Sequence, residues 1–118
     1  MLTVRDHQLQ LMGDALHATA VRANVRRVAH EAPRTFAKLG EPEVESRVRA
    51  GMDRAARYEI TRAWDVARFA LMTALFGPDF DEREEWARKV LLDEGLGPSE
   101  KMDRFEWYFR NYFARALG

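Results

Sequence analysis

The segment WDVARFALMTALFG, residues 64–77, decides the fold class of this chain. A helix that is apolar on every side is a buried helix, because each side needs a neighbour that excludes water. The sequence therefore predicts that this segment, the fourth helix of the chain, is the central element of the core. Its large apolar residues occupy the whole circumference of a helix: Trp64, Val66, Phe69, Leu71, Met72, Leu75 and Phe76.

Helical periodicity continues on both sides of this segment, and alternating strand patterns are missing. A first helix is expected from about Thr3 to His30, with Thr3 and Asp6 as a capping box. Its apolar face turns by roughly 120° along its length, which indicates two packing partners or a bend. The first part of the face carries Leu9, Met12 and Leu16, and the second part carries Val21, Val25 and Val28.

Gly and Pro residues mark where the other helices end and begin. A short helix is expected at PRTFAKLG, residues 33–40, and Pro42 suits the first turn of a third helix. We expect Thr61 to cap the fourth helix and Gly77-Pro78 to end it, with Gly77 in a left-handed conformation. The apolar stripe of the third helix consists of Val44, Val48, Met52, Ala55 and Ala56.

Five carboxylates follow within seven residues, at Asp79, Asp81, Glu82, Glu84 and Glu85. A calcium loop that began at Asp79 would need Gly at its sixth position and Glu at its twelfth, where this chain has Glu84 and Val90. Acids at a helix start favour the positive end of the helix dipole. We therefore expect Asp81 to cap a fifth helix in an exposed first turn, with Glu84 completing the capping box.

A final helix is expected within KMDRFEWYFRNYFARAL, residues 101–117, with an aromatic arc turned towards the core. Trp107 falls on the opposite side, together with Arg110. Its ring either lies on a neighbouring helix or anchors a protein partner, since exposed Trp beside Arg is typical of binding hot spots. The next candidates for partner binding are Arg47, Arg54 and Arg57. The arc consists of Met102, Phe105, Tyr108, Phe109, Tyr112 and Phe113.

The composition indicates one domain, residues 1–118, folded as an all-α compact bundle of five to six helices around the buried fourth helix. The absence of cysteine excludes disulfides, zinc thiolate sites and thiol nucleophiles. Lys+Arg and Asp+Glu both number 19, so the chain lacks the basic excess that phosphate-binding domains normally show. The opening residues carry a charge by Arg5, and no apolar run approaches the ~20 residues of a membrane span, so we expect neither a signal peptide nor a membrane helix, and we expect a cytoplasmic protein.

Side chains suited to catalysis or metal binding form no recognisable motif. His7, His17 and His30 share no helical spacing, and HEAPR (residues 30–34) lacks the second His of the metalloprotease motif. Ser46 and Ser99 lie outside any nucleophile motif, and no Gly-rich phosphate loop occurs. We therefore expect no catalytic residue, no metal and no cofactor.

An arginine-rich segment, RAARYEITRAWDVARFA (residues 54–70), has the helix–turn–helix order of a DNA-reading motif. Its second helix is apolar nearly all round, whereas a recognition helix exposes polar side chains to the bases. The turn also lacks the Gly that such motifs often use. Because these two features argue against DNA binding, a DNA-binding regulator that uses residues 47–68 is only the alternative hypothesis for function.

Several segments together resemble an uncharacterised bacterial family of small helical proteins that are encoded near type VI secretion effectors, spike proteins and polymorphic toxins. The resemblance covers roughly the first 105 residues and lies in MLTVRDHQLQLM (1–12), RVRAGMDRAARYEIT (47–61), the run from Trp64 to Gly95, and KMDR (101–104). Its most specific parts are DVAR at 65–68, Gly77-x-Asp79-Phe80-Asp81 and Trp86-Ala87. Similar sequences hold Gly where this chain has Glu59.

The resemblance implies a cytoplasmic accessory protein for toxin delivery and assigns no catalytic residue. Such a protein would act as an adaptor, a chaperone or an immunity-like partner. The leading hypothesis is therefore a non-enzymatic protein-interaction module that binds a secreted effector or a spike component.

Overall fold

The computed structural model describes residues 4–118. This part of the chain contains seven helices and no strands. The prediction of an all-α fold is confirmed. The helices are α1 (Val4–Glu31), α2 (Pro33–Leu39), α3 (Glu41–Ala55), α4 (Ala63–Phe76), α5 (Phe80–Arg83), α6 (Glu85–Leu91) and α7, which runs from Pro98–Tyr108 through a π-helical turn, Phe109–Phe113, to Ala114–Leu117.

The expected count of five to six helices is not confirmed, because the predicted fifth helix is divided. Glu84 lies between α5 and α6 in an extended conformation, with φ −86° and ψ 118°. The N-cap predicted for α4 is also wrong, since α4 begins at Ala63 after an extended Arg62 and has no side-chain cap. The capping box predicted at Thr3 falls outside the described residues.

Proline and glycine set several helix boundaries. Pro33, Pro42 and Pro98 lie in the first turns of α2, α3 and α7, where the missing N–H leaves no helical hydrogen bond unmade. Gly77 ends α4 with φ +108° and ψ 162°, and its N–H donates to the carbonyl of Thr73. The left-handed conformation predicted for Gly77 is wrong in ψ: φ is positive, but the residue lies in a region that side chains avoid more strongly than the left-handed helical one.

Two groups of buried apolar side chains form the core, and α4 contributes to both. Phe69 and Met72 of α4 belong to the larger group, which α6 and α7 complete with residues such as Phe105. Ala70 and Ala74 belong to the second group, which also contains Val21, Val25, Val28, Val44 and Val48 from α1 and α3. Nine of the 14 residues of α4 are buried, whereas Trp64 at its start is half exposed.

The closest helix pair is α3 and α4, which make the most extensive contact in the fold. Gly51 on α3 is buried and lies directly against α4. A side chain at this position would separate the two helix backbones, so glycine permits the contact.

The first half of α1 projects from the rest of the molecule. Every residue from 4 to 17 is exposed, and the buried residues of α1 are Val21, Val25 and Val28. The radius of gyration is 15.3 Å, compared with about 13.5 Å for a compact chain of this length. The projecting half of α1 (residues 4–17) is about 21 Å long at 1.5 Å per residue.

The end of α7 is bound to α2. The Thr35 hydroxyl donates a 2.6 Å hydrogen bond to the carbonyl of Leu117, and Arg34 Nη1 donates one of 3.0 Å to the carbonyl of Arg115. Residues more than 80 positions apart in sequence are thereby joined. None of the helices in residues 4–118 combines the length and apolar character that a membrane crossing requires.

Candidate functional site

A buried ion pair joins Arg54 on α3 to Asp81 on α5. The guanidinium donates two hydrogen bonds, from Nε to Oδ1 at 2.9 Å and from Nη2 to Oδ2 at 2.7 Å, and the Tyr58 hydroxyl donates to the same carboxylate. The prediction that Asp81 caps a helix in an exposed turn is therefore wrong. Its side chain is fully buried, and no side-chain cap begins α5.

The pKa values of this cluster follow from burial and hydrogen bonding. Burial alone would raise the pKa of Asp81, but the hydrogen bonds from Arg54 and Tyr58 outweigh it and hold the pKa below its usual value. Burial and the bond to Asp81 raise the pKa of Tyr58 to about 12. The bond to Asp81 raises the pKa of Arg54. All three groups keep their neutral-pH charge states, which suits a structural contact between α3 and α5.

The arginines predicted to bind a partner or DNA on α3 differ in accessibility. Arg54 is held by Asp81 and also pairs with Glu82 at 3.0 Å. Arg47 pairs with Glu43 and donates to the carbonyl of Ala74 on α4, both at 3.0 Å. Arg57, just beyond α3, has a 62% exposed side chain with its nearest carboxylate oxygen 3.9 Å away. Of these three, Arg57 is the most accessible to a ligand.

A second buried network surrounds Arg68 on α4. Its Nη2 donates to Asp65 Oδ1 at 2.7 Å and to the Ser99 carbonyl at 3.2 Å, and its Nη1 donates to Asp103 at 2.6 Å and to Glu106 at 3.3 Å. The Ser99 hydroxyl donates to Asp65 Oδ2 at 2.7 Å. The network fastens α7 to α4. The resemblance included Asp65 and Arg68, but sequence reasoning did not predict their pairing, although the i, i+3 spacing permits it.

Burial alone would raise the pKa of Asp65, but hydrogen bonds from Arg68 and Ser99 lower it overall. Burial likewise opposes the charge on Arg68, and its carboxylate partners raise its pKa overall. A general acid at neutral pH needs a carboxyl group with a raised pKa. Neither Asp65 nor Asp81 has one. Within residues 4–118, no group of three His, Asp or Glu side chains converges to hold a metal ion.

Beside the Arg68 network lies a cavity of about 310 Å³ between α1, α4 and α7. Its apolar lining comes from Ala32, Leu71, Met72, Leu75 and Phe109. Its polar lining comes from Arg27, Glu31, Arg68, Glu106 and Arg110, with Trp64 beside them. This volume lies at the lower end of the range for small-molecule sites in proteins.

Arg27 on α1 has unusual surroundings within this cavity. Its guanidinium lies over the Trp64 ring, 4.4 Å from the ring centroid. Its Nε is buried without a hydrogen-bond partner, as is the Nε of Arg68. Within residues 4–118, Arg27 makes no ion pair. An arginine with a buried donor and no carboxylate is costly unless something else accepts its hydrogen bond.

Trp107 and Arg110 lie on an exposed side of α7, as the helical pattern indicated. Trp107 is 50% exposed, and its ring contacts Tyr108 and Tyr112 with centroids at 5.3 and 5.7 Å. The Arg110 side chain is 77% exposed and pairs weakly with Glu106 at 3.7 Å. Tyr112 was predicted to face the core but is 65% exposed. The π-helical turn at Phe109–Phe113 winds more loosely than an α-helix and changes which side chains face inwards.

Several large apolar side chains are exposed on the projecting half of α1, where the sequence pattern predicted a packing face. Its large apolar side chains are between 54% and 77% exposed, and they are Val4, Leu9, Leu11, Met12 and Leu16. The predicted face of Val21, Val25 and Val28 packs in the core, whereas the face of Leu9, Met12 and Leu16 packs on nothing in residues 4–118.

Comparison with known proteins yields no relative. No protein-family model, curated protein or solved structure matches this chain.

Proposed function

We propose that this chain is a non-enzymatic protein-interaction module that presents the projecting half of α1 to a protein partner. The observation that carries the proposal is the row of exposed apolar side chains on that helix. Leu9, Met12 and Leu16 have the i, i+3, i+7 spacing with which an amphipathic helix enters a partner's groove. Contiguous apolar patches on a protein surface often mark interaction sites.

The charges on the projecting half favour a protein partner over a lipid surface. Helices that lie on membranes carry many Lys or Arg residues on their polar side. Between residues 4 and 17 the charged residues are Arg5, Asp6 and Asp14, so the segment has one basic residue and two acidic ones. Such a helix has no basic face for anionic lipids.

The partner that we propose is a secreted effector or a spike component of a type VI secretion system. The support for it is the resemblance to proteins encoded beside such genes. In this proposal the chain is a cytoplasmic accessory protein that acts as an adaptor, a chaperone or an immunity-like partner. The buried α4 serves as the central scaffold, and the outer side of α7 at Trp107 and Arg110 is a second contact surface.

Recovery of the partner from the native cell tests this function. The triple variant Leu9→Gln, Met12→Gln, Leu16→Gln should keep the melting temperature of the parent, since none of the three side chains is buried. It should lose most of the co-purifying protein identified by mass spectrometry, because anchor residues typically contribute 2 kcal/mol or more each.

The matched control is the variant His7→Ala, Gln10→Ala, His17→Ala, which changes exposed polar residues of the same helix segment. It should recover the partner as well as the parent does. If the apolar triple variant stays folded and recovers the same proteins in the same amounts, the projecting half of α1 does not carry the interaction.

A further inference from the structure

The cavity between α1, α4 and α7 has both an apolar lining and buried hydrogen-bond donors that lack a partner. Its apolar lining, with Leu71 and Leu75 among its residues, offers an environment that excludes water. Its polar lining includes Arg27 and Arg68, each with a buried Nε that lacks a hydrogen-bond partner. Buried donors of this kind call for an acceptor.

The two arginines differ in charge compensation. Arg68 already has Asp65 and Asp103 within 2.7 Å. Arg27 has the Trp64 ring and no carboxylate partner in residues 4–118. Glu31, one helical turn further along α1, also lines the cavity without pairing with Arg27. Arg27 is therefore a cation at the cavity whose charge a ligand could neutralise.

We propose that this cavity binds a carboxylate that carries an apolar group, with the carboxylate on Arg27 and the apolar group against the lining from α4 and α7. An anion accepts hydrogen bonds from a guanidinium more strongly than a neutral group does. A volume of about 310 Å³ corresponds to roughly ten water molecules. The ligand is accordingly small, with about ten non-hydrogen atoms, which describes a medium-chain fatty acid or the C-terminal residue of a peptide.

Two probes and one neutral analogue test this site by NMR titration of the ¹⁵N-labelled protein. Octanoate represents the free acid, N-acetyl-leucine represents a peptide C-terminus, and octanamide lacks the charge. We expect at least one of the two acids to shift the indole signal of Trp64 and the amides of Leu71 and Leu75, with a dissociation constant below about 1 mM. Octanamide should bind at least about tenfold more weakly, because it loses a charge-assisted hydrogen bond.

Variants on α1 connect the signal to Arg27. Arg27→Met should weaken binding about tenfold or more, whereas Glu31→Gln should strengthen it by removing a neighbouring negative charge. Arg26→Met is the matched control, because Arg26 is exposed and does not line the cavity. Circular dichroism of each variant tests whether it is folded.

Binding of octanoate alone identifies a small acid as the ligand class, and binding of N-acetyl-leucine alone identifies a peptide C-terminus. The proposal is overturned if neither acid shifts the cavity signals at about 10 mM, if octanoate binds but octanamide binds equally well, or if Arg27→Met binds the acids like the parent. Because the probes are small molecules, this result is independent of whether α1 binds a protein partner.

Discussion

Gly51 on α3 and Thr73 on α4 approach so closely that a Cβ at residue 51 would lie 2.6 Å from Thr73 Oγ1 and 2.8 Å from Thr73 Cβ. It would also lie 2.9 Å from the Cα of Ala70, which belongs to the backbone and cannot rotate away. Thr73 is itself fixed, since its hydroxyl donates to the Phe69 carbonyl at 3.0 Å. The contact between α3 and α4 therefore depends on the absence of a side chain at residue 51.

Gly51→Ala should destabilise the protein by about 1–3 kcal/mol, because the two helices must separate to admit the methyl group. Gly13→Ala is the matched control: Gly13 is also helical, but nothing lies within 4 Å of a Cβ at that position. It should leave stability unchanged or raise it by up to ~1 kcal/mol through helix propensity. Urea denaturation of both variants measures the difference, and equal effects would mean that α3 and α4 are not in close contact.

Asp81→Ala should cost about 3 kcal/mol, the lower end of the range for breaking a buried ion pair. The lower end of the range applies because Arg54 keeps a carboxylate partner in the variant: Glu82 lies 3.0 Å from its guanidinium. An exposed helix cap would lose only about 1 kcal/mol. Glu82→Ala, which removes an exposed partner of the same arginine, should cost less than about 1 kcal/mol. Chemical denaturation distinguishes the two cases, and a loss near 1 kcal/mol for Asp81→Ala would restore the capping interpretation.

Stability should fall at both ends of the pH range for separate reasons. The pKa values of Asp65 and Asp81 are lowered by folding, so their contribution is present above the unfolded value near 3.8 and is lost as the pH falls through the folded values. Folding raises the pKa of Tyr58 from 10.0 to about 12, so its contribution is lost as the pH rises through that interval. Tyr58→Phe should flatten the alkaline part of a melting-temperature profile relative to the parent. An unchanged profile would contradict the Tyr58–Asp81 bond.

Glu59→Gly should stabilise the protein slightly. Glu59 is the one non-glycine residue with positive φ in residues 4–118, at +59° with ψ 28°. Relief of a left-handed conformation gains about 1–2 kcal/mol, and the greater freedom of glycine in the unfolded chain offsets about 0.4–1 kcal/mol. Gly77→Ala, at φ +108°, should have the opposite sign. Thermal melts of the two variants suffice, and a destabilised Glu59→Gly would show that its side chain makes a contact that outweighs the strain.

Trp107→Ala combined with Arg110→Ala should preserve the fold and reduce recovery of the protein partner. Both side chains are at least half exposed, and exposed substitutions usually change stability by less than about 0.5 kcal/mol. Circular dichroism and co-purification are measured on the same samples. Since Arg110 also lines the cavity, the single variant Trp107→Ala separates the two sites. A folded double variant with full partner recovery would remove this face from the proposal.

The fold class and several helix boundaries could be predicted because they depend on local patterns. The helical spacing of apolar residues and the positions of Gly and Pro can be read from short stretches of sequence. The end of α4 at Gly77 is predicted in this way. Asp81 shows the limit of such patterns. An acid near the start of a helix is typical of a cap, and the local pattern cannot show that Arg54, 27 residues earlier, donates to this acid at 2.7 Å. The cavity at Arg27 likewise needs three helices in place before it exists.

The first helix shows a different limit. Its two apolar faces are visible in the sequence, and two partners or a bend were both compatible with them. Which face enters the core is decided by α3 and α4, through contacts with Val44 and Val48 among others. Local periodicity carries no information on that choice, and the same holds for the π-helical turn that exposes Tyr112.

The hydrogen bond from Thr35 to the Leu117 carbonyl has a consequence for biosynthesis. This contact cannot form until residue 117 has left the ribosome, whereas α1 emerges before any of the helices that cover it. At about 5–20 residues per second, synthesis of the chain from residue 35 to residue 117 takes roughly 4–16 seconds. Until α3 and α4 have emerged, both apolar faces of α1 are open to water, so a factor that recognises nascent chains would meet this helix first.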